Sequence, residues 1–432
     1  MTDLQRQFYD MLMRSQYWSA ERMQEHQRGQ LSQLLMHARR TVPFYANRLD
    51  AVFRPDGTID WDRWTEIPIL TRADLREHGE AMQASELPPG HGPTMVQSSS
   101  GSTGQPIPTT QAYLTAIASD AAMARAHTWH GINFDKRLLN LSDADPSKGQ
   151  LPDGTIGGPW GPSFMPGFGE GIILNLDSSP AEQLAFIQRC RPDYLAGVPS
   201  RVRAVALEAR RQGIMVPIEV VFTRAEGVTQ AMRELFHAVF GARTIEMYST
   251  QEAARIAHDC PDAPIRHVNA ELVLVEIVDN AGRPCPEGVS GRVVLTPYFN
   301  TAQPLIRYEI GDVARLQAPC SCGRTLPVLS AIEGRVLHLF ALPDGRRFVP
   351  NVNDGDVVAL GVEAWQLAQV SASAAEFRYV APEPVDKAKA ASILRDGLLR
   401  ELAIKVRRLE GFPPGRKHIS YVNETDVDQT QR

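Results

Sequence analysis

The sequence predicts a mixed α/β protein with two domains: a large N-terminal domain in which helices flank β-sheets, and a small α+β domain at the C-terminus. Three observations lead to this fold class. A chain of 432 residues is too long for one ordinary hydrophobic core. Helical and strand patterns alternate between about residues 180 and 250, as in an α/β sheet. Past residue 334 a short α+β unit follows, so we place the domains at 1–333 and 334–432.

The N-terminal third is predicted to be mainly helical. Apolar residues recur at helical spacing within residues 3–40, and Pro43 ends the pattern. Thr71 is a suitable N-cap for the next helix, and a further helix is predicted from Tyr113 to His130. The α/β part then contains three helices, each followed by an apolar strand: Ala181–Cys190, Arg201–Arg211 and Thr229–Phe240.

The remaining elements are mainly strands. After Ala270 the stretches "ELVLVEIVD" and "GRVVLTPYF" predict a β-meander. In the C-terminal domain, short strands precede one long helix from about Val385 to Leu409. The stretch "HISYV" predicts a final strand.

Composition excludes several classes of protein. The net charge of −5, with lysine and arginine dispersed, argues against a nucleic-acid-binding surface. No apolar run approaches the roughly 20 residues that span a bilayer. The N-terminal stretch "MTDLQRQFYDMLMRSQYW" lacks the apolar segment of a secretion signal. Five cysteines in so long a chain do not form a disulfide framework. We therefore expect a cytoplasmic protein that binds neither nucleic acid nor membrane.

The stretch "VQSSSGSTGQP", residues 96–106, is rich in glycine and small hydroxylated residues. Consecutive small residues let backbone N–H groups converge on a phosphate, and the hydroxyls add donors. Ser/Gly-rich stretches also form flexible loops, and the spacing of a P-loop is absent here. On these residues alone, both interpretations stay open.

A second glycine-rich stretch, residues 151–171, carries Trp160, Phe164 and Phe168. Its glycines and prolines argue against regular structure. The aromatic side chains are either part of a surface loop or a wall of a substrate pocket.

Five single positions are candidates for chemistry. Tyr248 ends a strand, where it could stack on a flat ring, and Glu252 could hold Mg²⁺ beside a phosphate. Asp312 lies in an apolar setting and could bind the two hydroxyls of a ribose. Each of these also has a structural interpretation, as a core tyrosine, a solvated carboxylate or a turn aspartate. Arg335, at the domain junction, and Lys417, after a Pro/Gly turn, could equally be surface cations.

Three cysteines and one histidine suggest a metal centre, which we name the Cys/His cluster. Three thiols and one imidazole are the donor set of a closed structural zinc site. The spacing is not that of a zinc finger, and the alternative is a set of reduced, half-buried thiols. The residues are Cys260, His267, Cys320 and Cys322.

Taken together, these stretches resemble the motifs of the phenylacetate–coenzyme A ligase family of the adenylate-forming superfamily. "ARRTVPFYANRL" and "IPILTRADL" are similar to the family's N-terminal signatures, and "SSSGSTGQP" to its phosphate loop. "AGVPS" resembles a strand-end motif, "TRAEGVTQAMRELF" the adenine segment, and "YSTQE" the tyrosine motif. "PLIRYEIGD", "PCSCGR" and "IEGR" resemble later motifs, the last being the hinge. The motifs follow the family's order through most of the chain.

The resemblance implies roles for particular residues. Glu252 would hold Mg²⁺, Asp312 would bind the ribose hydroxyls, and Arg335 the ribose or a phosphate. Lys417, on a small mobile domain, would reach the substrate carboxylate and the α-phosphate. The other residues implied at ATP are Ser99, Ser100, Gly101, Ser102, Thr103 and Gly104 around the β/γ-phosphates, Ala225 and Glu226 beside the adenine, Tyr248 against its face, and Ser249, Thr250 and Gln251 within the tyrosine motif.

The implied reaction is attack of a carboxylate on the α-phosphorus of ATP, which gives an acyl adenylate and pyrophosphate. The small domain then rotates, and the thiol of coenzyme A takes the acyl group. The family and the aromatic residues of the second glycine-rich stretch favour an aromatic acid. Two alternatives stay open: an adenylating ligase of a biosynthetic pathway with an amine or carrier-protein acceptor, and a nucleotide-binding protein without turnover. A homodimer also remains open.

Overall fold

The computed structural model describes residues 2–98, 107–142, 145, 147–330, 332, 334–335, 340–344, 346–348, 350, 352, 354–394, 397–412 and 420–425. The chain forms two compact units. The first unit comprises residues 1–134, 161–167 and 247–333. The second unit comprises residues 135–160, 168–246 and 334–432.

Helices occur in both units. In chain order they are α1 (Thr2–Ser15), α2 (Ala20–Thr41), α3 (Arg72–His78), α4 (Tyr113–Trp129), α5 (Pro180–Cys190), α6 (Pro199–Gln212), α7 (Gln230–Phe240), α8 (Asp354–Ala359) and α9 (Lys387–Ile393). None of the helices in the described residues is long and apolar enough to cross a membrane.

The strands form several separate sheets. In chain order they are β1 (Thr94–Ser98), β2 (Pro108–Ala112), β3 (Leu138–Leu141), β4 (Thr155–Pro159), β5 (Glu170–Leu174), β6 (Tyr194–Gly197), β7 (Val220–Thr223), β8 (Arg243–Thr250), β9 (Ala254–Asp259), β10 (Arg266–Val268), β11 (Val273–Val278), β12 (Gly291–Pro297), β13 (Tyr308–Ala314), β14 (Leu316–Gln317), β15 (Val328–Leu329), β16 (Gly334–Arg335), β17 (Phe340–Ala341), β18 (Arg347–Phe348), β19 (Ala364–Ser371), β20 (Ala374–Val380), β21 (Ala403–Arg408) and β22 (Tyr421–Asn423).

Side-chain caps fix where several helices begin. The predicted cap Thr71 is confirmed: its hydroxyl accepts the N–H of Asp74, and the Asp74 carboxylate accepts the N–H of Thr71. Residues 3–40 are predicted to be helical, and the structure has helix over most of them but divides it into α1 and α2 at residues 16–19. Ser19 accepts the N–H of Arg22 and so starts a new helix, which the apolar periodicity alone does not reveal.

In the first unit, antiparallel strands pack against helices. β11, β12 and β13 pair in order, which confirms the predicted meander. A second set of strands runs in the order β14, β15, β10, β9 and the end of β8. The guanidinium of Arg125, on α4, donates to Glu271 at 2.6 Å, and both side chains are fully buried. Since Ser15 also donates to Glu271 at 2.6 Å, this carboxylate connects α1 and α4 to the strand region.

In the second unit, the predicted α/β arrangement is confirmed. β5, β3, β6, β7 and the start of β8 pair in parallel, and β4 adds an antiparallel edge. Apolar side chains of α5, α6 and α7 form one hydrophobic core with these strands. The mixed α/β fold class is therefore confirmed, with sheets flanked by helices.

The C-terminal part of the second unit differs from the prediction. The long helix predicted from Val385 to Leu409 is wrong: α9 ends at Ile393, and β21 pairs in parallel with β20. In β21, Ile404 is half-buried and Lys405 is exposed, an alternation with the period of a strand rather than of a helix.

The domain boundary predicted at residues 333 and 334 coincides with a boundary between the units. Residues 334–432, however, belong to the same unit as residues 168–246. Within this unit, Arg203 of α6 donates to the carbonyl of Val362 at 3.4 Å. The separate C-terminal domain therefore stays a prediction.

Candidate nucleotide site and metal centre

The tyrosine motif, residues 248–252, lies at the end of β8 and in the turn to β9. Thr250 pairs with Ala254, so the turn between them has three residues. Ala254 has a φ of 57°, the left-handed conformation that often follows such turns. The hydroxyl of Thr250 accepts the N–H of Ala253 at 3.0 Å, and the side chain of Gln111 donates to the carbonyl of Gln251. These hydrogen bonds hold the motif in one conformation.

Tyr248 and Asp312 are in direct contact. The Tyr248 hydroxyl donates to Oδ2 of Asp312 at 2.8 Å, and both residues are buried. Asp312 stands at an irregularity of β13, because the segment between Glu309 and Val313 has more residues than the β12 segment opposite it. Gly311 permits this bulge with a φ of 81°. Bulges redirect side chains, and this one directs a carboxylate to the tyrosine motif.

Glu252 is buried, which argues against the interpretation as a solvated carboxylate. Its side chain is 10 % exposed, and Oε1 lies 3.8 Å from Nη1 of Arg72, the first residue of α3. At that separation the carboxylate and the guanidinium form an ion pair, but the distance is too long for a hydrogen bond. The Cys/His cluster aside, the described residues contain no group of three or more potential metal ligands. Mg²⁺ commonly binds one or two carboxylates together with phosphates and water, so a single glutamate is sufficient here.

Ala225 and Glu226 lie in the second unit, after β7. Ala225 has a φ of 70°, a conformation that costs a residue with a side chain roughly 1–2 kcal/mol. Glu226 accepts the N–H of Ser200, in the first turn of α6, at 3.1 Å. The structure therefore brings the adenine segment together with the "AGVPS" motif.

Several predicted residues lie wholly or partly outside the described structure. For Arg335 the structure describes the backbone, which forms β16 with Gly334. The residues outside the described ranges are Ser99, Ser100, Gly101, Ser102, Thr103, Gly104 and Lys417.

The Cys/His cluster is brought together in the first unit. The four potential ligand atoms all lie within 4.8 Å of one another. Sγ of Cys260 lies 3.8 Å from Sγ of Cys320, and Sγ of Cys322 lies 3.3 Å from Nε2 of His267. In a tetrahedral site with Zn–S bonds of about 2.3 Å, two sulfurs are about 3.8 Å apart. The cluster therefore has the size of a zinc site.

The pKa shifts in the cluster differ from one residue to the next. Burial lowers the pKa of His267 to about 4, so the imidazole is neutral at pH 7. Burial raises the pKa of the Cys260 thiol to about 12. At Cys322 burial acts in the same direction, but hydrogen bonds from Arg324 outweigh it and lower the pKa of that thiol. A neutral imidazole beside a thiol inclined to ionise can bind a divalent cation.

The aromatic residues of the second glycine-rich stretch have different surroundings. Trp160 donates to the carbonyl of Lys136 at 2.7 Å and packs edge-on against Tyr194. Phe164, in the first unit, contacts Tyr9. Phe168 is 83 % exposed. Two of the three side chains thus have packing partners of their own, and their role as a pocket wall stays a prediction.

The sequence reasoning missed three residues of this region. Arg72 follows the helix cap and lies beside Glu252, and Gln111 holds the turn. Arg255 lies on β9 with 19 % of its side chain exposed. The sequence does contain a signal that could have pointed to Arg255. It is a charged residue within the apolar stretch "AARIA", directly after the tyrosine motif.

Comparisons with known proteins agree with the motifs. No family model matches the chain. Phenylacetate–coenzyme A ligase of Thermus thermophilus is 28 % identical over 330 residues, which cover 73 % of this chain and 71 % of that protein. The enzyme of the same name from Aromatoleum evansii is 26 % identical over 317 residues, with 69 % and 67 % covered. The match therefore extends over most of both chains.

Solved structures share the fold. A 2-hydroxyisobutyryl–CoA ligase in its postadenylation state is similar, with a TM-score of 0.71, 19 % identity, and 97 % of this chain and 94 % of that chain covered. An anthranilate–CoA ligase in complex with anthranoyl-AMP has a TM-score of 0.57 and 14 % identity, with 75 % and 64 % covered. At these identities the likeness establishes the fold. The protein thus has the fold of these CoA ligases and is similar in sequence to phenylacetate–coenzyme A ligases.

Proposed function

We propose that the protein is an AMP-forming carboxylate–coenzyme A ligase. One observation carries the proposal: buried Tyr248 donates to buried Asp312, beside the turn that contains Glu252. The bulge places a buried carboxylate beside the tyrosine motif, where it can accept hydrogen bonds from the hydroxyls of a ligand. The ribose of ATP supplies two hydroxyl donors. The curated relatives over most of the chain are named as ligases of this type.

In the first half-reaction, a carboxylate oxygen of the acid attacks the α-phosphorus of ATP. The bond to the bridging oxygen of the β-phosphate breaks, and pyrophosphate leaves. Asp312 would orient the ribose, and Glu252 would hold Mg²⁺ on the phosphates. Lys417 would stabilise the negative charge that develops at the α-phosphate. Positioning and charge stabilisation account for most of the catalysis in such transfers.

In the second half-reaction, the thiol of coenzyme A loses its proton and attacks the carbonyl carbon of the acyl adenylate. The bond to the phosphate oxygen breaks, and AMP leaves with that oxygen. We propose an aromatic acid as the substrate because the relatives act, by name, on phenylacetate.

We also propose one structural zinc ion at the Cys/His cluster. Three thiolates and one imidazole fill a tetrahedral shell, so no position is left for catalysis. Cys260 follows β9 and His267 lies on β10, whereas Cys320 and Cys322 lie in the loop between β14 and β15. The ion would fasten this loop to the strand that leaves the tyrosine motif.

ATP–pyrophosphate exchange tests the proposed function. The whole protein is assayed with a panel of aromatic and aliphatic acids, and AMP release is then measured with and without coenzyme A. We expect acid-dependent exchange, and AMP release that rises when coenzyme A is added. Exchange without a response to coenzyme A would favour an amine or carrier-protein acceptor. ATP binding without exchange for any acid would indicate a nucleotide-binding protein without turnover.

A further inference from the structure

Arg255 is a largely buried cation, and two of its three hydrogen-bond acceptors are methionine sulfurs, which accept weakly. Nε points to the sulfur of Met247 at 3.2 Å and Nη2 to the sulfur of Met123 at 3.1 Å. Nη1 donates to the hydroxyl of Ser119 at 2.5 Å. Nη1 also forms an ion pair with the carboxylate of Asp120 at 3.6 Å, a separation too long for a hydrogen bond. A buried guanidinium is costly unless carboxylate-like acceptors meet its donors.

A small cavity borders this guanidinium. It has a volume of about 20 Å³, and its lining includes Arg255, Ser119 and Thr115 together with apolar atoms of Ala253 and Phe299. A volume of this size holds about one water-sized group. The cavity therefore has room for one oxygen of a carboxylate at the end of a ligand, between α4 and the start of β9.

A second, independent observation points to a ligand in this cavity. The hydroxyl of Thr115 is buried and has no hydrogen-bond partner among the described residues. Thr115 itself is 6 % exposed. Buried polar groups are nearly always hydrogen-bonded, and exceptions call for an explanation. Because Thr115 also lines the cavity, a ligand oxygen there would lie beside both the Thr115 side chain and the guanidinium.

We propose that Arg255, Thr115 and Ser119 form a subsite for a second carboxylate on the acid substrate, at the end remote from the carboxylate that is activated. The inference rests on the proposed function, because the ligand proposed for the cavity is the acid that this reaction activates. Glu252, the residue proposed to hold Mg²⁺, precedes Arg255 by three positions. Their Cα atoms are at most about 11 Å apart, since each residue spans at most about 3.6 Å. A small aromatic acid is long enough to connect the two sites.

Two measurements on the whole protein separate this inference from the proposed function. Calorimetry gives the affinity for phenylacetate, 4-hydroxyphenylacetate and the 2-, 3- and 4-carboxyphenylacetates in the presence of a non-hydrolysable ATP analogue. ATP–pyrophosphate exchange with the same acids reports on the proposed function. We expect at least one carboxylated acid to bind about 10-fold more tightly than phenylacetate, as a charge-assisted pair at a buried site allows.

Variants test whether Arg255 and Thr115 cause the preference for a carboxylated acid. Arg255→Met should lower the affinity ratio of the carboxylated acid to phenylacetate by about 10²-fold, because it leaves a carboxylate without its buried partner. Thr115→Val, which removes the hydroxyl at similar volume, should lower the ratio by about 5-fold. The matched control is Arg292→Met: Arg292 is also a strand arginine, with 22 % of its side chain exposed, but it pairs with Glu309 away from the cavity. It should keep the wild-type ratio.

Three results would overturn the inference. In one, no carboxylated acid binds more tightly than phenylacetate. In another, Arg255→Met keeps the wild-type ratio. The third is a preference for the hydroxylated acid over every carboxylated one, which would indicate a neutral partner. Absence of exchange with tight, Arg255-dependent binding would contradict the proposed function and support the subsite.

Discussion

Asp312 acquires its position from its neighbours rather than from a regular strand. Gly311 permits the bulge in β13, and the hydroxyl of Tyr248 meets the displaced carboxylate at 2.8 Å. A charged acceptor in a buried position contributes to binding mainly when a ligand brings further donors. The consequences of its removal should therefore appear in ATP binding more than in folding.

Asp312→Ala should weaken ATP binding by roughly 2–4 kcal/mol, the contribution of a charged acceptor that makes two hydrogen bonds. Titration calorimetry with ATP and Mg²⁺ measures the loss. Tyr248→Phe is the companion variant. It keeps the carboxylate of Asp312 and should therefore weaken ATP binding less than Asp312→Ala does. Unchanged affinity in Asp312→Ala would mean that the residue serves only the bulge.

Lys417→Ala should lower the rate of adenylate formation by about 10²-fold or more, the scale of losing one preorganised donor to developing charge. Lys405→Ala is the matched control, because Lys405 is an exposed residue of β21. ATP–pyrophosphate exchange compares the two variants with the parent protein. The reverse pattern, with a slow Lys405 variant and an active Lys417 variant, would show that the catalytic lysine is misplaced.

Sequence could identify some of these residues and not others, for a physical reason. Asp312 and Glu252 stand in recognisable motifs, so the sequence alone could single them out. Arg255 was not, because the partners that make it unusual, Met123 and Ser119, come from α4 and are remote in sequence. Which side chains surround a buried charge depends on tertiary packing, so a local stretch of sequence does not reveal them.

At the scale of elements, the Cys/His cluster joins two hairpin regions of the first unit. β9 pairs with β10, β10 with β15, and β15 with β14, so the ligands are borne on neighbouring strands and one loop. A metal that fastens a loop of this kind stabilises the folded state, because the unfolded chain cannot assemble the same shell.

Protein purified without added metal should contain about one equivalent of zinc, the content of a single four-ligand site. Cys322→Ser should lower that content and the melting temperature before it affects exchange activity. Cys285→Ser is the matched control: Cys285 is a free cysteine outside the cluster and should keep both. Elemental analysis and a thermal melt, each with and without a strong chelator, provide the readouts. Metal-free protein that is equally stable in chelator would exclude the site.

Helices and strands were predictable where the apolar residues followed a single helical or strand period. The α/β region has helices with clear apolar faces and cap residues such as Ser179 and Thr229, and its helices were predicted within two residues. The stretch from Val385 to Leu409 was not, because α9, a 3₁₀ turn over Gly397–Glu401 and β21 follow one another without a strong stop signal. Pairing with β20 decides the conformation of β21, and pairing is not visible in a local window.

At the scale of the whole molecule, buried histidines should make stability depend on pH. Burial lowers the pKa of His127 to about 3, and the charges of Arg255 and His130 add to this. An unfolded histidine has a pKa of about 6.5. Between these values the unfolded chain binds a proton that the folded chain does not, so stability falls as the pH falls.

The free energy of unfolding should therefore decrease by about 1.4 kcal/mol per pH unit on account of His127, from about pH 6.5 downward. His127→Asn should remove this contribution to the slope, as measured by chemical denaturation between pH 4 and pH 7. His78→Asn is the control, since the side chain of His78 is 42 % exposed. Equal slopes in His127→Asn and the parent protein would contradict the assignment.

The turn after β8 has a consequence for how such ligases diversify. The residues proposed to serve ATP, 248–252, and three that line the Arg255 cavity, Ala253, Ala254 and Arg255, form one uninterrupted stretch. On the two proposals, the first part would contact ATP and the second part would contact the acid. Substitutions at a few adjacent positions could therefore change which acid the enzyme accepts. The residues that bind ATP would stay the same.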